Sequence, residues 1–462
     1  MPNLILKTGT TAISGAVVKG SFSYFSASTR DLGPTSVTGL YNGFNPPNGG
    51  FTVYYTGANT PAGWTCRIAS DTSALNTLLI SLGGTGSTVA QNIIWANNTN
   101  SVLVDSGQTL SNLVSSRQNV SYALENGVAY AWGRSLGGAI GDNSTTQRNT
   151  PVLVCGGLTF TSIAAGNDSG LGITNTGVAY AWGSNSSGVL GDNSTTQRNT
   201  PVLVCGGLTF TSIAGGFASH SLGITNTGVA YAWGANSSGG LGDNSVTSRL
   251  TPVLVCGGLT FTSIAAGAFY SLGITNTGVA YGWGSNSTGQ LGDGSTASRL
   301  TPVLVCGGLT FTSIAAGQEF SLGITNTGAA YGWGLNLYGQ LGDNSTTSRL
   351  TPVLVCGVCG GLTFTSISAG ASHSLGITNT GVAYAWGRNA SGGLGDNSTT
   401  QRNTPVLVCG GLTFSSIAAG TLFSVGATNT QLVYAWGINN VGQLGNNNAP
   451  NGSLTPIQVC VL

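Results

Sequence analysis

Short apolar runs without helical spacing dominate the chain from about residue 108 onward. In residues 160–205, Phe160-Thr161-Ser162-Ile163-Ala164-Ala165-Gly166 reads as one strand and Leu171-Gly172-Ile173-Thr174 as a second. Asn175-Thr176-Gly177 supplies the turn, because Asn and Gly tolerate the backbone conformations that tight hairpins need. Val178 to Trp182 is a third strand, Gly188, Leu190, Gly191 and Asp192 mark a long loop, and Pro201-Val202-Leu203-Val204 is a fourth strand. Runs such as Val-Leu-Val and Ile-Ala-Ala do not alternate between apolar and polar. That pattern suits a sheet covered on both faces.

The unit recurs. Tyr-Ala-Trp-Gly or Tyr-Gly-Trp-Gly places Trp132, Trp182, Trp233, Trp283, Trp333, Trp386 and Trp436 at spacings of 50, 51, 50, 50, 53 and 50 residues. A fixed period near 50 marks a solenoid, a propeller or an array. Four short strands per period match one propeller blade, both faces of which pack on neighbouring blades. Seven tryptophans at one equivalent position read as a packing layer. Each would bury roughly 200 Å², about 5 kcal/mol gross at about 25 cal/mol/Å².

The steps Ile-Ala-Ala-Gly, His-Ser-Leu, Thr-Gly, Tyr-Ala-Trp-Gly, Gly-x-Leu-Gly-Asp, Arg and Pro-Val-x-Val resemble the repeat of the regulator of chromosome condensation family. The resemblance covers all seven units. It implies an all-β, seven-bladed β-propeller of four-stranded blades over residues 108–462. The His step stands only at His220 and His373. The family's function would be guanine-nucleotide exchange on a small GTPase with chromatin binding, but the chain shows no basic tail, and its near-uniform blades leave no specialised face. After the last Pro456-Ile457-Gln458-Val459-Cys460 the chain stops, whereas Leu110-Ser111-Asn112-Leu113-Val114 at the start matches the strand that follows this segment elsewhere. The two ends are therefore expected to pair and lock the ring, removing sheet edges that invite aggregation.

Residues 1–107 do not repeat. Residues 1–47 read as an arm or small β unit, with two short strands around Val17, Val18, Phe22, Tyr24 and Phe25. Asn45-Pro46-Pro47-Asn48-Gly49-Gly50 is a turn or linker. Residues 48–107 read as an α+β anchoring module. In it, Phe51–Tyr55 is a strand, Leu75, Leu78, Leu79 and Leu82 share one face of a helix ended by Gly83, Thr88–Ala96 is a second helix, and Ser101–Val104 is a closing strand.

Only 5% of residues are charged and the net charge is +1, against roughly 25% charged in an average soluble chain. Nucleic-acid binding therefore lacks an electrostatic footprint. Gly, Ser, Thr and Asn carry the solubility. The start lacks a basic segment followed by an apolar core, so no secretory signal is read, and no apolar run is long enough for membrane insertion. Of nine cysteines, seven stand one per unit: Cys155, Cys205, Cys256, Cys306, Cys356, Cys409 and Cys460. Blades about 10 Å apart are too distant for disulfides, which need Cα atoms within about 7 Å. These cysteines read as small buried hydrophobes. Cys356 and Cys359 form a C-x-x-C that a three-residue duplication explains.

Six aspartates, Asp142, Asp192, Asp243, Asp293, Asp343 and Asp396, each precede an arginine by six residues, as in Asp192 and Arg198. Each pair reads as a loop brace. Few charges remain, and no metal spacing, Ser/His/Asp arrangement or phosphate cradle is present. No enzyme, no metal and no cofactor are expected. The units differ from one another at two places, after Ala-Ala-Gly and after Trp-Gly. These stretches are either unconstrained loops or a varied binding rim made by Phe217, His220, Phe269, Tyr270, Glu319, Phe320, Tyr338, His373, Phe423, Arg134 and Arg388. Exposed aromatics favour the rim, because they anchor interfaces; burial in the blade seams is the competing reading.

Low charge, a polar uncharged surface and near-identical units together suggest a phage virion surface protein, a fibre, decoration or host-attachment component. Its expected partners are other virion or surface-assembly proteins, through residues 1–107, and a host receptor or glycan; an oligomer is expected. The alternative is a cytoplasmic or cell-surface protein-interaction propeller.

Overall fold

The computed structural model describes residues 114–460 except Ser219 and 356–360, together with the backbone of seven strands between Asn3 and Val104. The chain divides into two compact units, Met1–Leu110 and Ser111–Leu462. The second holds seven four-stranded antiparallel sheets, one per repeat. Blade two is built from Phe160–Ala165, Ser169–Thr174, Ala179–Gly183 and Arg198–Leu203, paired in that order.

Burial peaks at the second strand and is least at the outermost. The second strand of each of blades three to seven is wholly buried, whereas the fourth is half-exposed along its length. The fourth strand carries Pro201 and its equivalents, which an outer edge tolerates because no further strand needs that missing N–H. First strands of neighbouring blades run side by side around the axis, the seventh against the first.

Closure differs from the expected exchange of strands. Blade one is made of Val114–Arg117, Val120–Glu125, Val128–Gly133 and Arg148–Leu153. Blade seven is made of Phe414–Ala419, Phe423–Thr428, Val433–Gly437 and Ser453–Gln458. Val114–Arg117 pairs with Val120–Glu125 of its own blade, so each blade is continuous in sequence. The ring is sealed by packing and by bonds across the last seam. Trp132 Nε1 donates to the Gln443 carbonyl at 2.9 Å, Gln443 Nε2 to Asn119 Oδ1 at 3.1 Å, and the Asn447 amide to the Asn149 carbonyl at 2.9 Å.

The tryptophans are that seal repeated. All seven are fully buried. Each donates its indole N–H into the long loop of the preceding blade: Trp182 to Ala139, Trp233 to Val189, Trp283 to Gly240, Trp333 to Gln290, Trp386 to Gln340 and Trp436 to Gly393, at 2.8–3.1 Å. The glycine of Leu-Gly-Asp makes room for it. A Cβ on Gly191, whose φ is +69°, would lie 2.9 Å from Cδ1 and Nε1 of Trp233.

The loop between the third and fourth strands is braced as the Asp/Arg spacing indicates. Six Asp–Arg pairs close at 2.5–2.9 Å. Burial alone would raise the Asp192 carboxyl; hydrogen bonds from Ser194, Arg198 and Asn185 outweigh it and hold Asp192 below the usual range. The asparagine after Trp-Gly, read from the sequence as part of a varied stretch, is a buried hub. Asn236 Nδ2 lies 3.0 Å from Asp243 Oδ1 and from the Ser245 carbonyl, and its Oδ1 accepts from the buried Leu241 amide at 3.0 Å. Asn236→Ala would orphan that amide. We expect a loss of about 1–3 kcal/mol in denaturant unfolding, while Ser237→Ala, on an exposed neighbour, stays within about 0.5 kcal/mol.

Cys155, Cys205, Cys256, Cys306, Cys409 and Cys460 are free and half-buried, less enclosed than expected. The Cys356/Cys359 pair lies outside the described residues, as do the segment from Val17 to Phe25 and the Asn45–Gly50 turn.

In the first unit, the described strands form one antiparallel sheet of seven. Asn3–Thr8 pairs with Phe51–Thr56, so both sides of the expected boundary at residue 47 contribute to it. The two expected helices are strands instead, Thr77–Gly84 and Ser87–Trp95. Their register, Leu78 with Ile93 through Gly84 with Ser87, makes a hairpin. Gly83, read as a helix stop, lies instead near the end of the first strand of this hairpin, paired with Thr88. No α-helix occurs among the described residues, and none of their helices is long and apolar enough to cross a membrane.

Candidate functional site: the varied face of the disc

Both varied stretches reach the same face. The turn after the first strand and the loop after the third strand lie at the same end of an antiparallel blade. They are bonded together there: Ser184 to the Asp168 carbonyl, Ser285 to Phe269, Leu335 to Glu319, Arg388 to Ser372 and Ile438 to Leu422, amide to carbonyl, at 2.9–3.1 Å. The opposite face carries the Thr-Asn-Thr-Gly turns, identical in blades two to six and changed to Leu124-Glu125-Asn126-Gly127 in blade one and Thr428-Asn429-Thr430-Gln431 in blade seven.

The turns also join one blade to the next around the axis. The amides of Phe217, Ala268, Gln318, Ala371 and Thr421 donate to the carbonyls of Gly267, Gln318, Gly370, Gly420 and Gln118 at 2.8–3.3 Å. Phe217 is buried there with Ala268 and Ala371.

The predicted rim residues divide sharply. His220, Tyr270, Phe320, His373 and Phe423 occupy one equivalent position, each paired with the glycine of Trp-Gly. All five are buried and are interior packing residues, contrary to the rim reading. The histidines are held in one tautomer. Ser271 Oγ donates to the Gly240 carbonyl at 2.8 Å, which leaves it an acceptor for His220 Nε2–H at 3.1 Å. Ser424 Oγ does the same between Gly393 and His373, at 2.7 and 2.9 Å. These serines, one in nearly every blade, were not singled out in the sequence, although His-Ser-Leu and its variants contain them.

What remains on the surface is a smaller set. Phe269 is 47% exposed and Leu337 62% exposed. Tyr338 is half-buried, and the Arg388 guanidinium carbon lies 5.0 Å from its ring centre. Glu319 is half-buried. Arg134 approaches Asp168 at 4.0 Å; burial pushes that carboxyl up and Arg134 pulls against it. These residues lie chiefly on blades four to six, whereas blade three offers only Ala235 and Ser237 at the equivalent loop. No group of three or more His, Cys, Asp and Glu able to hold a metal gathers among the described residues. The two histidines sit in separate seams, each bonded to a serine.

A family model described as "RCC1-like domain" matches residues 209–461, and models of the regulator of chromosome condensation (RCC1) repeat match 176–224 and 160–189. No curated protein sequence matches. Among solved structures, yeast RCC1 (Prp20) in its complex with Kap60 is 21% identical with a TM-score of 0.65, covering 75% of this chain and 85% of that one. Human WBSCR16 is 21% identical with the same score, covering 72% and 94%. Prp20p from Saccharomyces cerevisiae, solved in a study of its binding to Gsp1p and histones, is 20% identical at 0.65, covering 76% and 88%. At such identities these likenesses speak for the fold.

They also correct the virion reading, with its virion-assembly partners, host receptor or glycan, and virion location: the relatives are RCC1 proteins and WBSCR16. The composition that prompted that reading has a cause inside the blade. Asn, Ser, Thr and Gly build the turns and the Asn–Asp–Ser loop networks. Over more than half its length the chain matches the RCC1-like domain, and it belongs to the RCC1-like repeat family of β-propellers.

Proposed function

We propose that this chain is a non-enzymatic protein-interaction propeller that presents the varied face of its disc to a protein partner. The carrying observation is that blades two to six share one turn sequence on one face but differ on the other, around exposed Phe269 and Leu337 and the Tyr338–Arg388 stack. Exposed aromatics beside an arginine are the composition enriched at protein interfaces. The related RCC1 structures, one bound to Kap60 and one studied with Gsp1p and histones, support a protein partner without naming this one.

Photo-crosslinking tests the reading. A crosslinker at Leu337 is expected to capture a defined protein from the native cell, and one at Thr176 on the uniform face is not. Leu337→Asp, on a side chain with little to lose in folding, should weaken that complex by about tenfold or more, since an anchor contributes about 2 kcal/mol. Equal capture from both faces, or a complex indifferent to Leu337→Asp, would sink the proposal.

A further inference from the structure

Arg117 stands where six blades have glycine. Its partner across the turn is Val120, and Val120 pairs with the glycine of Trp-Gly as His220 and its equivalents do. In the other blades the side chain at that second position lies over the glycine. A Cβ on Gly267 would come 1.9 Å from Tyr270, and one on Gly420 would come 2.2 Å from Phe423. Val120 is small, which leaves room for a long side chain at this position of blade one.

That side chain crosses the axis. Arg117 Nη1 donates to the Ala316 carbonyl of blade five at 3.1 Å, and its guanidinium carbon sits 4.2 Å from the ring centre of Phe217 in blade three. Burial brings it down to about 10, so it is charged at neutral pH. A guanidinium has five N–H donors. The neighbouring carbonyls of Gly267, Gly370, Gly420 and Gln118 are already engaged by amides of adjacent blades. Among the described residues no carboxylate lies within ion-pair distance of Arg117. A buried charge is costly unless paired. The residue is half-buried rather than sealed, so a small group can reach it.

We propose that the axis of the disc, at its varied face, is an anion site in which Arg117 receives a carboxylate. The planar fork matches a carboxylate bidentately, and the apolar surroundings of Phe217, Ala268 and Ala371 disfavour larger, strongly hydrated anions. The group could come from a small free acid or from the C-terminus of a peptide. The site does not depend on the partner surface proposed above.

The test is thermal unfolding of the full chain in increasing sodium formate, against sodium chloride at matched ionic strength. Formate should give a saturable rise in melting temperature of about 2 °C, as expected for a ligand that binds only the folded state. Chloride should not. Arg117→Gln should abolish the response and Arg117→Lys, which keeps the charge but not the fork, should lose most of it. Arg249→Gln, in a loop brace, should keep it. Should Arg117→Gln fail to fold, Arg117→Lys and the unaltered protein still decide. A short peptide with a free C-terminus binding more tightly than formate, and losing binding when amidated, assigns the site to a chain terminus; formate alone assigns it to a small acid. No saturable formate effect, an equal effect of chloride, or an undiminished effect in Arg117→Lys overturns the proposal.

Discussion

Trp233→Ala is expected to lower the unfolding free energy by about 3–5 kcal/mol, the range for emptying a large aromatic site in a core. The side chain belongs to blade three, yet it packs mainly on blade two, among Leu171, Ile173, Ala181, Val189, Leu190 and Val204. Phe210 lies against it at 5.8 Å between ring centres. Its removal leaves a cavity in a seam, and rigid sheets on both sides limit collapse. Trp233→Phe should cost much less. It keeps most of the apolar contact and loses the indole bond to the Val189 carbonyl, but Ser221 Oγ still donates to that carbonyl at 3.0 Å. The comparison extends to the closing seam. Because the ring is sealed there by the same tryptophan-to-loop contact as everywhere else, Trp132→Ala should cost the same as Trp233→Ala to within about 1 kcal/mol. Denaturant unfolding followed by far-ultraviolet circular dichroism reads all three. A much smaller cost for Trp132→Ala would mean that the first and last blades are held by something other than this packing.

The repeat made most of the blade legible. Seven copies of one strand pattern averaged out local ambiguity, and the Asp192–Arg198 type of pair could be read because its spacing never varied. Leu110–Val114 resembles the strand that follows Pro-Val-x-Val in other units, which is why sequence alone points to an exchange of strands at closure. Matching sequence does not say which neighbour a strand pairs with, and here each blade simply begins with its own first strand. The leading unit had no such averaging. Leu75, Leu78, Leu79 and Leu82 fit a helical face, but Leu78, Ile80 and Leu82 also share one side of a strand, and the hairpin with Val89–Ile94 takes the second option. At the varied face, His220, Tyr270, Phe320, His373 and Phe423 looked like rim residues because they differ among blades. They differ inside a seam, where each fills the space over a glycine. Arg117 was overlooked for a related reason: its signal is one arginine at the glycine of Ile-Ala-Ala-Gly, visible only once the first, most divergent unit is put in register.

The two seam histidines should make the propeller acid-labile well above the carboxylate range. Burial, reinforced by the charge of Arg117, brings His220 down to about 4; burial brings His373 to about 4. An unfolded chain takes up a proton on each near pH 6.5. Between pH 6.5 and 4 the unfolded state therefore binds more protons than the folded state, and stability rises with pH across that window. The contribution is complete above about pH 6.5 and is lost as the pH falls towards 4, on the order of 3 kcal/mol for each histidine at 1.36 kcal/mol per pKa unit. The braced aspartates, which lie below their usual values in five loops, add their loss only at lower pH, through and below the ordinary carboxylate range. Structure gives the cause. His220 Nε2–H is committed to Ser271, whose own proton goes to Gly240, and a proton on Nδ1 would place a second cation near Arg117. Denaturant midpoints measured from pH 7.5 to 4.5 should fall steadily for the unaltered protein. They should fall much less for the double variant His220→Gln, His373→Gln, whose amides can still donate to the serines without titrating. A midpoint that holds level from pH 7.5 to 5 in the unaltered protein would show that the folded seams accept the protons, and that these imidazoles are not held neutral by their burial.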